Sequence, residues 1–310
     1  MPLTTTPEET PGGPTAPDRP FGAVLAAMAT PFGPDGSADL DGAARLATHL
    51  VDAGCDGLVL GGTTGESATT SAQEKARVLG AVLEAVGNRA HVLAGAGSND
   101  TARSVEAARA AEEGGAHGLL VVTPYYSKPP QAGVLAHFRA VADATGLPVM
   151  VYDIPGRTGT PVAVDTFRAL AEHPRVVAVK DSKNDLLAAS LVMASTDLAW
   201  YSGEDALNLA HLAQGAAGVV SVVAHAAAST YRQMVDAVDA GDLATARALH
   251  VRLLPVVDAM MNRTQGAASA SAVAQLLGAT TSRTVRLPLV ELDDDQLEHL
   301  RGALTEAGLL

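Results

Sequence analysis

From Phe21 onward the chain alternates short apolar runs with Ala- and Leu-rich stretches whose apolar positions recur at helical spacing. The runs are Ala23 to Met28, Gly57 to Leu60, His91 to Ala94, Gly118 to Val122, Val149 to Tyr152, Val176 to Val179, Ala199 to Ser202 and Gly218 to Val222. All but one are near-continuous, without polar alternation, which is the pattern of parallel strands covered on both faces. The stretches between them carry helix punctuation. Ser71 and Glu74 form a capping box, Leu79, Val82, Leu83 and Val86 follow as one stripe, and Gly87 ends it. Ala43, Leu46, Ala47 and Leu50 repeat that stripe before Gly54. Asp52 to Leu58 and Glu112 to Leu119 resemble each other two strand-helix units apart, at roughly 30 residues per unit.

Eight such units admit a closed barrel or an open doubly wound sheet. The positions of the chemically interesting residues favour the α/β barrel, a (β/α)8 TIM barrel over residues 21–240. Asp242 to Met261, Ala270 to Leu277 and Asp294 to Ala307 then read as a C-terminal helical extension over residues 241–310, and Met1 to Pro20, rich in Thr, Pro and Gly, as a flexible N-terminal arm.

Composition narrows the functions. With 47% hydrophobic and 18% charged residues the 310-residue chain can bury a sizeable core. A formal charge of -13 disfavours nucleic acid or an anionic membrane as partner. No stretch offers about 20 uninterrupted apolar residues for a membrane span, and the N-terminus lacks the pattern of a secretory signal. Cys55 is the only cysteine, so a reducing cytoplasm is expected. The nine histidines fall at no metal-ligand spacing, so neither metal nor cofactor is implied.

Of four lysines, only Lys180 closes an apolar strand, which would deliver its amine to the C-terminal mouth of a barrel. A free lysine amine has a pKa of about 10.4, and burial favours the neutral form that attacks a ketone. The plain alternative is a strand-end lysine paired with Asp181 or Glu204. Tyr125, Tyr126 and Tyr152 also sit at strand ends, where phenol hydroxyls can carry protons or simply pack. Gly61-Gly62-Thr63-Thr64-Gly65-Glu66 follows the second strand with hydroxyls and unhindered amides for an anionic oxygen, or is only a turn. Arg157, in Ile154-Pro155-Gly156-Arg157-Thr158-Gly159, offers a fork to a carboxylate or lies idle on the surface.

Gly62-Thr63-Thr64-Gly65-Glu66, Thr123-Pro124-Tyr125-Tyr126, Tyr152 to Gly159, Val179-Lys180-Asp181 and Ser202-Gly203-Glu204-Asp205 stand in the order and spacing of one family. From about Phe21 to the C-terminus the chain resembles the dihydrodipicolinate synthase/N-acetylneuraminate lyase family of class I, Schiff-base aldolases. The resemblance implies a (β/α)8 barrel with a helical extension, assembled as a homotetramer of two tight dimers. It assigns Lys180 the imine with pyruvate and Tyr152 the central proton transfer. Thr63 becomes the relay hydroxyl linking Tyr152 to Tyr126, which reaches into the neighbouring subunit's site. Thr64, Val220 and Gly203 resemble the pyruvate pocket, and Arg157 the arginine that receives the carboxylate of L-aspartate 4-semialdehyde. The implied reaction condenses pyruvate with that aldehyde to 4-hydroxy-tetrahydrodipicolinate, in lysine and diaminopimelate biosynthesis.

Some positions depart from the family pattern. His225 stands where an Asn is common, and Asn262 to Gly266 replaces an Asn-Pro segment. Arg103, Ala72 and Lys75 stand where lysine-inhibited relatives carry an acidic residue and histidines, which argues against feedback inhibition by lysine. The rival readings are another pyruvate-dependent aldolase, lyase or keto-sugar acid dehydratase on the same barrel, and a catalytically silent barrel that binds an effector.

Overall fold

The computed structural model describes residues 17–310. The expected flexible arm therefore lies outside the described residues except for its last four positions, among which Arg19 donates to the Ala217 carbonyl at 2.8 Å and pairs with Asp239.

Eight parallel strands form the barrel: β1 (Val24–Ala27), β2 (Gly57–Leu60), β3 (His91–Gly95), β4 (Gly118–Val122), β5 (Val149–Asp153), β6 (Val176–Asp181), β7 (Ala199–Ser202) and β8 (Gly218–Ser221). They pair in sequence order, and β8 returns to β1 with Leu25 opposite Val220, so the sheet is closed. The choice between barrel and open sheet is thereby decided for the barrel. Strand ends differ from expectation where polar residues continue the ladder. β6 closes with Lys180 as expected and gains Asp181, and β5 gains Asp153, because these backbones still pair although their side chains break the apolar run.

Register fixes which side chains fill the barrel, because paired residues on neighbouring strands point to the same face. The Trp200 ring meets Phe167 of the helix Val164–Ala171 edge-on at 5.4 Å, so Trp200 faces outward. Tyr201, next in the strand, therefore faces inward, and its hydroxyl donates to the Gly22 carbonyl at 3.0 Å. Lys180 pairs with Tyr201, and Tyr152 with Lys180, so both share the inward face near the C-terminal ends of their strands. Buried Val220 shares that face.

Helix starts follow their capping chemistry. The box predicted at Ser71 and Glu74 is present at the start of Ala72–Val86. After the barrel come the helices Leu243–Val257, Gly266–Leu276 and Asp294–Glu306. The first was expected to run unbroken to Met261; instead it contains Pro255, which has no amide to donate, and changes to a wider π-helical turn over Asp258–Asn262. The second begins four residues earlier than expected, since the Gln265 side chain accepts from the Ala267 and Ala268 amides at 2.7 and 3.2 Å. Glutamine is not a usual N-cap, so this start has no recognisable signal. Between the last two helices an irregular strap, residues 279–292, crosses back to the loops that follow β1 and β2.

Candidate active site

β5 and β6 hold their key residues side by side. The Lys180 amine stands 4.3 Å from the centre of the Tyr152 ring, and the lysine is only 5% exposed. Among the described residues the amine has no hydrogen-bond or ion-pair partner. The pairing with Asp181 or Glu204 that would have made it a structural lysine is not formed. Asp181 points to the opposite face of β6, where its amide-bound carboxylate lies 3.9 Å from His211.

Gly203 closes the other side of the lysine. A Cβ built on it would come within 2.8 Å of both Cγ and Cε of Lys180 and 2.5 Å of the Ser182 hydroxyl. The missing side chain is therefore the space the lysine stem occupies. Two bonds fix this approach: the Gly203 amide donates to the Asp181 carbonyl at 2.7 Å, and the Ser182 hydroxyl donates to the Gly203 carbonyl at 2.8 Å. Ser182 carried no recognisable signal in the sequence, since its part is to fix backbone.

Across the mouth, β2 leads into the glycine-rich turn. Thr64 is buried and Thr63 exposed. Among the described residues the Thr63 and Thr64 amides find no acceptor within the protein, whereas the Glu66 and Ser67 amides are tied back to the Thr63 and Gly62 carbonyls. Free amides on a bound turn suit an anionic oxygen. A side chain on Gly65 would be tight there: a Cβ would sit 3.0 Å from the Gly61 amide nitrogen and 3.1 Å from the Met28 carbonyl, so the backbone would have to give.

The remaining candidates are not gathered into contact. Thr63 forms no hydrogen bond with Tyr152 or Tyr126 among the described residues. Tyr126 is 89% exposed, with a left-handed backbone at φ 71°. Arg157 lies in a helical turn, Pro155–Thr158, where a loop was expected; it is exposed and pairs with no carboxylate among the described residues.

Polar groups behind the site hold it in place. Thr123 donates both its amide and its hydroxyl to the Tyr152 carbonyl, at 3.0 and 3.1 Å. Buried Asp205 accepts from the Val222 and Val223 amides, the Tyr231 and Ser221 hydroxyls and the Asn208 amide group, fixing the end of β8. His225 accepts from the Ala29 amide at 3.1 Å and donates to the Val222 carbonyl at 2.7 Å, joining the ends of β1 and β8; burial drives its pKa down to about 4, so it is neutral at pH 7. Asp153 and Asp181, register partners on the outer face, are both buried. Burial, reinforced by the Asp181 charge, pushes Asp153 up to about 7 against the bond from the Val162 amide. Burial likewise pushes Asp181 up to about 6, against the amide and charge of Lys183. Cys55 is buried, its thiol pushed up to about 12 by burial, and is chemically inert. Among the described residues no His, Cys, Asp or Glu cluster is placed to hold a metal, and no helix is long and apolar enough to cross a membrane.

Fold and site together define a class: a parallel (β/α)8 barrel presenting a buried lysine and tyrosine at the C-terminal ends of adjacent strands. The chain belongs to the dihydrodipicolinate synthetase family, whose model matches residues 20–307. It is 59% identical over 293 residues to the 4-hydroxy-tetrahydrodipicolinate synthase of Kineococcus radiotolerans, covering 94% of this chain and 95% of the relative. It is 56% identical to 4-hydroxy-tetrahydrodipicolinate synthase 2 of Streptomyces coelicolor, covering 95% and 98%. Among solved structures, the DHDPS of Cyanidioschyzon merolae, crystallised with lysine bound, superposes with a TM-score of 0.91 at 39% identity, covering 94% of this chain and all of that one.

Proposed function

We propose that the chain is a lyase with 4-hydroxy-tetrahydrodipicolinate synthase activity, joining pyruvate to L-aspartate 4-semialdehyde, and that Lys180 is its nucleophile. The single observation that carries this is the buried Lys180 amine, without a protein partner among the described residues, set against Tyr152 in a family whose curated relatives bear that activity.

In this reading the amine attacks the ketone carbon of pyruvate, and loss of water gives the imine. The imine draws electrons from the adjacent methyl, which loses a proton to give the enamine. The enamine carbon bonds to the aldehyde carbon of the second substrate, whose oxygen becomes a hydroxyl. The substrate's own amine then attacks the imine carbon, closing the ring and returning Lys180 as the free amine. Tyr152 passes protons at the carbinolamine steps, with Thr63 and Tyr126 completing the relay. Thr64 and its turn take the keto acid's carboxylate, Val220 and Gly203 shape the pocket, and Arg157 receives the carboxylate of the aldehyde.

The exposure and backbone of Tyr126 support its insertion into a second copy, in a homotetramer built of two tight dimers. The sole, buried Cys55 suits a cytoplasmic enzyme of lysine and diaminopimelate biosynthesis. Arg103, Ala72 and Lys75 support insensitivity to lysine, which an assay with added L-lysine would test.

Borohydride reduction in the presence of pyruvate, followed by peptide mass analysis, should place one reduced pyruvate adduct on Lys180. Coupled assay should show the aldehyde and pyruvate consumed together. An adduct with no consumption of aspartate semialdehyde would favour another aldolase of the family, and no adduct would leave only a silent barrel.

A further inference from the structure

Arg286 lies in the C-terminal strap, more than two hundred residues from the glycine-rich turn in sequence, yet it is bound to the segments on either side of that turn. Its backbone amide donates to the Glu66 carboxylate at 2.9 Å. Its guanidinium donates twice to the Gly36 carbonyl, at 2.9 and 2.7 Å, once to the Thr69 carbonyl at 2.7 Å, and through both terminal nitrogens to the Glu74 carboxylate. A guanidinium has five N–H groups, and each has an acceptor here. Its flat face rests on the Phe32 ring, 4.2 Å from the centroid. These contacts join the loop after β1, the loop after β2 and the capped start of the helix Ala72–Val86.

Glu66 is the residue on which the turn closes. It is 5% exposed, and its backbone sits in the left-handed region at φ 52°. Such a conformation is unfavourable for a residue with a side chain and persists only when its surroundings hold it. The Glu66 amide closes the bend by donating to the Thr63 carbonyl, and its carboxylate accepts from Arg286. If the strap came away, this buried carboxyl would lose its donor and the turn would lose its outer brace.

We infer that Arg286 is a positioning residue for keto-acid binding: anchored by its guanidinium, it holds Glu66 and thereby aims the Thr63 and Thr64 amides. This rests on the reading that the turn receives the keto acid's carboxylate. The C-terminal extension then acts on the affinity for the first substrate without touching it.

The test compares R286K and E74Q with the wild type in the full chain, measuring KM for each substrate, kcat and Tm. Lysine keeps the charge but has three donors and no planar fork. R286K should raise KM for pyruvate about tenfold, with kcat and KM for the aldehyde nearly unchanged, the signature of lost binding common to ground and transition states. E74Q, which keeps an acceptor but removes the opposite charge, should raise KM for pyruvate in the same direction by a smaller factor, and serves if R286K does not fold. A fall in Tm or in active fraction with KM for pyruvate unchanged would reduce Arg286 to a stability role and overturn the inference. Borohydride trapping with pyruvate and with acetone, a ketone without the carboxylate, separates the two levels. Clearly better trapping of pyruvate that R286K and E74Q leave unchanged removes Arg286 alone, whereas equal trapping of pyruvate and acetone by the wild type removes the docking assignment beneath it.

Discussion

Gly203 and Lys180 fit as edge and groove: the absent Cβ of the glycine is where the lysine stem runs. Gly203→Ala should therefore crowd both the Lys180 stem and the Ser182 hydroxyl and push the amine out of line. A displacement near 1 Å in such a site costs about 10²-fold in rate. The measurement is the rate of borohydride-trapped adduct formation with pyruvate; an unchanged rate would mean that the amine tolerates the crowding and that the glycine is incidental.

Tyr152 faces the amine with its ring, and its hydroxyl has no partner among the described residues. Tyr152→Phe keeps the packing and removes the proposed proton carrier. The expected outcome is a kcat lower by about 10²–10⁴-fold with Tm nearly unchanged. Single-turnover kinetics should show imine formation itself slowed; normal kinetics would assign the proton steps elsewhere.

Arg157 is exposed and forms no ion pair among the described residues, so its removal disturbs no visible structural bond. Arg157→Ala should raise KM for aspartate semialdehyde by about tenfold or more, as expected for one lost charge-assisted bond pair, and spare KM for pyruvate. Equal effects on both substrates would contradict the assignment.

The buried carboxyl of Asp153 gives a pH signature in stability. Its pKa rises from 3.8 unfolded to about 7 folded, so between those values the native state binds the extra proton. The favourable contribution is complete below pH 3.8 and is lost as pH rises through about 7. Asp153→Asn keeps an acceptor for the Val162 amide and removes the titration. Thermal melts from pH 5 to 8 should show the wild type losing stability across this range more steeply than the variant, whose Tm at pH 8 should be the higher by several degrees. His225 works in the opposite direction and lower down, since its folded pKa of about 4 lies below the unfolded 6.5 and destabilises the protein as pH falls between them. Parallel curves for wild type and Asp153→Asn would show that the carboxyl does not titrate in this window.

How much of this was legible beforehand follows from range. Eight apolar runs announced eight strands because each run is local, and the Ser71–Glu74 box announced its helix for the same reason. Closure was not legible, since it depends on Leu25 meeting Val220 far along the chain, and open sheets use the same units. Lys180, Tyr152, Thr64 and Arg157 stood out through their motifs, but only register shows that the first two share the inner face. Ser182, Thr123 and Asp205 act through backbone groups, which leave little trace in side-chain chemistry. Arg286 was invisible because its guanidinium partners lie 212 to 250 positions away.

A closed ring of strands has no free margin, so β5 cannot slide along β6 unless all its neighbours slide too. Tyr152 and Lys180 are thus mated by the weave of the backbone, and loop residues such as Arg157 can be exchanged around them without unsettling the pair. Under the proposed reaction, the choice of second substrate can drift over generations while the covalent step stays where the ring has put it.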